Sequence, residues 1–176
     1  MNSEHSDNPN GSQLTYSDEA VVVRPVTHSD LVIETEFFDD LSFERKRNRF
    51  LGGVISVSSD EIERLCDLDY HDSMAYIAIF NDGKFPIELG MARYVKDADN
   101  KAHEMAVVLA DGVDTQTIGT KLLTHLFDYA RINGVKRLYS IEFRDNTEMK
   151  SLAEGMGMSR AVDPSDIHQV IYTIDL

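Results

Sequence analysis

The sequence predicts one mixed α+β domain, a central sheet of about seven strands flanked by helices, and three observations carry that prediction. Short β-branched and apolar runs recur at residues 74–80, 87–95 and 102–109. Turn chemistry separates them: Asn81-Asp82-Gly83 is a strong hairpin signal, and Asp97-Ala98-Asp99-Asn100 makes the next turn, so the three read as an antiparallel meander. Between residues 118 and 132 the period changes from two to 3.6, with Leu122, Leu123, Leu126, Phe127 and Ala130 on one face of a helix.

The other elements follow in order. Residues 1–19 are rich in Asn, Ser, Asp, Gly and Pro and carry too little apolar surface to offset ordering entropy, so a disordered acidic tail is expected, with the domain running over 20–176. Residues 21–26 read as a first strand with Pro25 near its end. Ser29 or Asp30 is placed to cap a helix bearing Leu31, Ile33 or Glu34, Phe37 and Phe38. A second helix over 42–51 is stopped by Gly52-Gly53. Its Arg45, Lys46, Arg47 and Arg49 are either a solvated face or a contact for phosphate. Ser58 and Glu61 have capping-box spacing for a third helix through Leu68. Gly134 ends the helix over 118–132, residues 138–143 form a further strand, and Asn146 caps a helix through Leu152 and Ala153. Strands at 158–162 and 169–174 close the domain. No internal repeat is present.

Composition narrows the function. The chain has 176 residues, 42% of them hydrophobic, enough for a real core. No apolar run reaches membrane-spanning length, and the N-terminus has neither the basic nor the apolar region of a secretion signal, so no membrane partner and a cytoplasmic setting are expected. Cys66 is the only cysteine and sits among apolar helix positions, which makes it a packing residue. The net charge is −14. That disfavours nucleic acid, whose phosphates need Lys and Arg, and it draws in cationic substrates such as amines or lysine-rich surfaces, unless it serves solubility alone. The histidines show no metal-ligand spacing, so no metal is expected, and no nucleophile-elbow, P-loop or dinucleotide motif is present.

The most informative stretch is residues 104–123, which read as a buried strand, a polar loop and the start of an amphipathic helix. Such a turn aims unpaired backbone N–H groups at one point with the helix dipole behind them, a site for phosphate oxygens. Glu104, on the strand leading in, supplies a carboxylate. An anion cradle beside a base suits group transfer from a phosphate-bearing donor.

From residue 21 onward the chain resembles the GNAT acetyltransferase superfamily, and within it the domain of bacterial protein lysine acetyltransferases. The resemblance rests on Val23-Arg24-Pro25 with Asp30, on Leu41-Ser42 with Arg49-Phe50, and on Met74-Ala75 with Ile77-Ala78. It continues in Gly90-Met91-Ala92-Arg93, in His103-Glu104-Met105-Ala106-Val107-Val108, and in Asn146, Met149, Leu152, Ala153, Glu154 and Gly157. The superfamily writes its pyrophosphate loop Gln/Arg-x-x-Gly-x-Gly/Ala. Here those positions are Asp114, Thr115, Gln116, Thr117, Ile118 and Gly119, so only the last glycine remains.

This resemblance implies the GNAT fold and an N-acetyltransferase taking its acyl group from acetyl-CoA by direct transfer. Glu104 matches the family's general base; a carboxylate on a mostly buried strand gains basicity by desolvation, whereas a strand-end Glu faces solvent or pairs with Arg93. His103 points to the opposite face. Backbone groups of Val107, Val108 and Leu109 would hold the pantetheine arm and thioester. The amides of Thr115, Gln116, Thr117, Ile118, Gly119 and Thr120 would hold the pyrophosphate. Asn146 matches a cofactor contact, although a helix cap alone explains it. Some relatives use a Tyr as general acid after this helix; residues 155–158 contain none. The acceptor would be an amine or protein lysine, probed by a monomer or homodimer. A Thr117 forced to positive φ, and Asp114 beside a diphosphate, would each weaken acetyl-CoA binding. Two readings stay open: an acetyltransferase, and a catalytically inactive GNAT-fold sensor or interaction module.

Overall fold

The computed structural model describes residues 16–17, 20–53, 56–81, 83, 85–98 and 102–176. Most of the expected N-terminal tail, and part of both predicted hairpin turns, lie outside those residues. Seven strands form one sheet in the order β1-β2-β3-β4-β5-β7-β6. They are β1 (Val21–Pro25), β2 (Ser73–Asn81), β3 (Pro86–Lys96), β4 (His103–Leu109), β5 (Arg137–Phe143), β6 (Ser159–Val162) and β7 (Gln169–Asp175). The helices are α1 (Leu31–Asp40), α2 (Phe43–Arg49), α3 (Ser59–Cys66), α4 (Thr115–Ile132) and α5 (Thr147–Gly155). This is the α+β architecture expected from the sequence, with the meander in place.

Local chemistry explains most boundaries. Ser58 and Glu61 form the expected capping box of α3. Asn146 accepts the Met149 N–H at 3.2 Å and caps α5. Leu51 and Gly52, at φ 49° and 79°, turn the chain out of α2 two residues sooner than expected. Gly134 adopts φ 76° and stops α4. Asp30 does not cap α1; its carboxylate is taken by Arg24 and by Thr27, at 2.6–3.0 Å.

The core has two parts, one on each face of the sheet. On one side α4 and α5 bury Ile118, Leu122, Leu126, Phe127, Met149 and Leu152 against Leu89, Tyr94, Met105 and Leu138. On the other, α1 and α3 bury Phe37, Phe38, Ile62 and Leu65 against Ala75, Ile77, Met91 and Val108. Cys66 is buried in this second part, and burial pushes its thiol up to about 12, as a packing residue requires.

One sheet feature positions the site. β3 and β4 pair along their length, from Lys96 opposite His103 to Gly90 opposite Leu109. β5 pairs fully with β7. Between β4 and β5, the only parallel neighbours, pairing is limited to His103 with Leu138 and Glu104 with Tyr139. Beyond that point the two strands part.

Candidate active site

Where β4 and β5 separate they leave a shallow open cleft, floored by Val107, Val108 and Leu109 and walled by Glu142, Asn146 and Thr115. Arg45 and Arg49 of α2 overlook it, and Met149 and Leu152 of α5 close its apolar side. β4 can be followed this closely because Gly90 lies beneath its end. A Cβ at Gly90 would stand 2.7 Å from the Val108 carbonyl oxygen and 2.4 Å from a Leu109 methyl. In an antiparallel ladder alternate residues direct N–H and C=O away from the partner. Those of β4 that turn from β3 therefore meet the cleft rather than another strand. A linear amide chain fits such a strand edge, which makes the pantetheine arm of acetyl-CoA a chemical match for this gap.

Five of the sequence-predicted residues, Val107, Val108, Leu109, Thr115 and Asn146, come together here. The others lie apart. Ile118 and Gly119 are buried inside α4. Gly119 is a packing glycine, since a Cβ there would come within 2.7 Å of a Leu152 methyl of α5. Gln116 and Thr120 are exposed on the same helix.

α4 starts at Thr115, three residues before the periodicity alone suggested, because Asp114 is its N-cap. Thr117 is consequently an ordinary helical residue and does not adopt positive φ, so the strain considered for it does not arise. The Asp114 carboxylate accepts the Gln116 N–H at 2.9 Å and the Thr117 hydroxyl at 2.8 Å. One amide of the expected anion cradle is therefore engaged by the chain itself. Across the mouth of the helix, Glu148 accepts the Thr115 hydroxyl at 2.8 Å and the Arg45 guanidinium, which also stands 3.8 Å from Asp111. The basic patch is thus tied down: Arg45 to these acids, Arg47 over the Phe143 ring at 4.1 Å, and Lys46 to the Asp39 carbonyl.

Glu104 is solvent-exposed at the start of β4, at the point where the strands part. The buried acids are elsewhere. Glu142 on β5 is 7% exposed, receives a 3.2 Å hydrogen bond from the Asn146 side-chain amide, and is pushed up to about 8, chiefly by burial. On the other face of the sheet Glu34 and Glu88 are buried with no hydrogen-bond partner for any carboxylate oxygen among the described residues. Burial, with Asp30 adding repulsion, pushes Glu34 up to about 8 and raises Glu88 as well. Arg49 is pulled down to about 10 by burial and then by Arg93, against the attraction of Glu142, Glu104 and Glu34. His103 packs edge-on against Tyr94 on the α4 side, away from Glu104, as strand alternation required.

Residues 38–158 match the sequence model of the Acetyltransferase (GNAT) family. The chain belongs to that family. It is 33% identical over 156 residues to Acetyltransferase PA5475 of Pseudomonas aeruginosa, covering 89% of this chain and 84% of that protein. Its fold is shared by the GNAT domain of S. lividans PAT, with a TM-score of 0.77, 22% identity and coverage of 88% and 89%. It is also shared by YncA from Salmonella typhimurium, solved with its cofactor acetyl-CoA, with a TM-score of 0.67, 16% identity and coverage of 89% and 94%. Of the two readings that the sequence left open, these relationships support the enzyme: this is a GNAT-family, acetyl-CoA-dependent acetyltransferase. No helix is long and apolar enough to cross a membrane, and no cluster of metal-ligating side chains occurs, among the described residues.

The sequence reading passed over the buried carboxyls Glu142 and Glu88 and placed Glu34 on the first helix without a role for it. For Glu142 a signal was present: it shares the inward phase of β5 with Leu138 and Ser140. Glu34 is marked too, standing three and four residues before Phe37 and Phe38 on the buried face of α1, whereas Glu88 lies beside a register shift in β3 and carries no such mark.

Proposed function

We propose that the protein transfers the acetyl group of acetyl-CoA directly to a cationic amine, a protein lysine, with Glu104 taking the proton the amine gives up. The supporting observation is the parted β4–β5 pair. It offers a strand edge at Val107, Val108 and Leu109 for the pantetheine arm, and Glu104, in the last pair before the strands part, is solvent-exposed three residues before that edge. An acceptor lysine arrives protonated and must lose a proton before attack, so an exposed carboxylate near the reacting end suits the task. The strong negative charge of the chain favours approach of such an acceptor. Thr115, the first-turn amides of α4 and Arg45 are the groups assigned to the diphosphate, and Asn146 to the arm. The donor is the only activated group the reaction needs; the protein contributes orientation, proton removal and exclusion of water.

The test is acetyl transfer from acetyl-CoA to lysine-containing peptides, followed by mass spectrometry. Glu104→Gln should reduce kcat about 100-fold, in the usual range for a general base, while the stabilisation of the fold by acetyl-CoA stays unchanged. A variant that keeps full turnover would remove Glu104 from this role. Equal transfer to neutral aromatic amines and to lysine would remove the cationic acceptor.

A further inference from the structure

We propose that Glu142 is the catalytic acid of this enzyme, giving its carboxyl proton to the sulfur that departs when the acetyl group moves to the amine. The inference rests on the reading of the β4–β5 cleft as the acetyl-CoA site, and adds a residue that neither the family motif nor the sequence reading assigns.

Placement comes from the register. β4 and β5 are parallel, and their last pair is Glu104 with Tyr139. Three residues further along each strand stand Val107 and Glu142. Had the ladder continued they would have been partners; instead they face each other across the opening, and both line it. Whatever lies along the Val107 edge therefore lies against the Glu142 carboxyl. On its other side β5 is fully occupied, with Glu142 paired to Val170 of β7.

The carboxyl is also held for this work. Asn146 donates to Oε2 at 3.2 Å, and the carboxyl lines the cleft. The charged and titratable groups around it are Arg45 and Arg49 on α2 and Glu148 on α5, with Glu104 at the near end of β4. Arg49 favours the ionised form but is outweighed by burial, so the group holds its proton up to about pH 8. The walls otherwise present apolar side chains, Thr115, Asn48 and Asn146. Residues 155–158, where some relatives carry a tyrosine acid, contain none.

The step balances as follows. The amine nitrogen forms the new C–N bond, and the C–S bond breaks with its electron pair going to sulfur. Glu142 protonates that sulfur to the thiol. Glu104 passes to solvent the two protons that the ammonium nitrogen loses, one before attack and one after it; one replaces the proton given up by Glu142 and the other is released. No oxidant, reductant or metal enters.

Three measurements test the assignment. Infrared titration of the folded protein should show buried carboxylic-acid carbonyl absorption lost near pH 8, from Glu34 and Glu142, and Glu142→Gln should lack the Glu142 share of it while keeping that of Glu34. Acetyl-CoA should stabilise Glu142→Gln as it does the parent, because the amide keeps the size and the bond to Asn146. Its kcat should fall about 100-fold, and the decline of the parent's kcat above pH 8 should disappear from its profile. Undiminished turnover by a variant that binds acetyl-CoA normally overturns the acid role and leaves the site reading intact. Failure of parent and variant alike to bind acetyl-CoA overturns both. Should Glu142→Gln not fold, infrared titration of Glu34→Gln, which removes the other carboxyl titrating near 8, decides: no band lost between pH 7 and 9 in that variant overturns the proposal.

Discussion

Asp114→Asn isolates the electrostatics of the α4 mouth from its geometry. The native carboxylate caps the helix through the Gln116 N–H and the Thr117 hydroxyl. Asn is as good an N-cap as Asp, so the cap survives, and the stability change is confined to the lost charge–dipole attraction, about 0.3–1 kcal/mol. A phosphate bound at this mouth would sit roughly 6 Å from the carboxylate. At an effective dielectric of about 20 the repulsion is about 3 kcal/mol per unit charge. Screening over a Debye length of about 8 Å halves it. The variant should then bind acetyl-CoA about tenfold more tightly, since 1.4 kcal/mol is one decade in Kd. Calorimetric titration reads this directly. With the cofactor well above both Kd values, the same gain raises the ligand-induced Tm shift by roughly 3–5 °C for a domain of this size. Asp114→Ala serves as the contrast, with similar relief of repulsion but about 1 kcal/mol of cap energy lost in urea unfolding. A folded Asp114→Asn protein whose Kd stays within about twofold of the parent's would refute the placement of the diphosphate at this helix.

Other changes probe neighbouring parts of the argument. Arg45→Gln leaves Asp111 and Glu148 at the α4 mouth without their counter-ion and should weaken acetyl-CoA binding about tenfold, whereas Glu148→Gln should strengthen it; calorimetry separates the two directions. Gly119→Ala gains about 1 kcal/mol of helix propensity but drives a Cβ to 2.7 Å from a Leu152 methyl, so a net loss of about 1 kcal/mol is expected in urea unfolding. Glu34 has a folded-state pKa of about 8, above its unfolded value near 4.5. The folded chain therefore holds the extra proton between those values, and the associated stability is full below pH 4.5 and lost as pH rises through 8. The slope is about 1.4 kcal/mol per pH unit for one such group, and Glu34→Gln should flatten the pH dependence of urea unfolding over that window.

How much was legible from the residues depends on the range of the physics. Ser58 with Glu61, Asn146, Gly134 and the alternating strands act within a few positions, and each produced the element expected of it. The start of α4 was misplaced because Asp114 and Thr117 were weighed only as departures from a motif. Together they are a helix cap, which the spacing of the two already allowed. Gly119 looked like a survivor of the phosphate loop, yet its neighbour is Leu152, a contact no local pattern encodes. Glu104 could be read from the sequence as desolvated or as facing solvent, and it is exposed; desolvation falls on Glu142, through the parting of two strands whose separation is a property of the whole sheet.

The backbone N–H of Asp114 donates to the Tyr16 hydroxyl at 3.1 Å, and the Tyr16 ring leans on Phe80 with centroids 6.2 Å apart. A chain trimmed to start at the first strand would lose that tether from the residue that begins α4. Shortened versions of this enzyme should accordingly be compared by their grip on acetyl-CoA as well as by their solubility, because Tyr16 reaches the residue that caps α4.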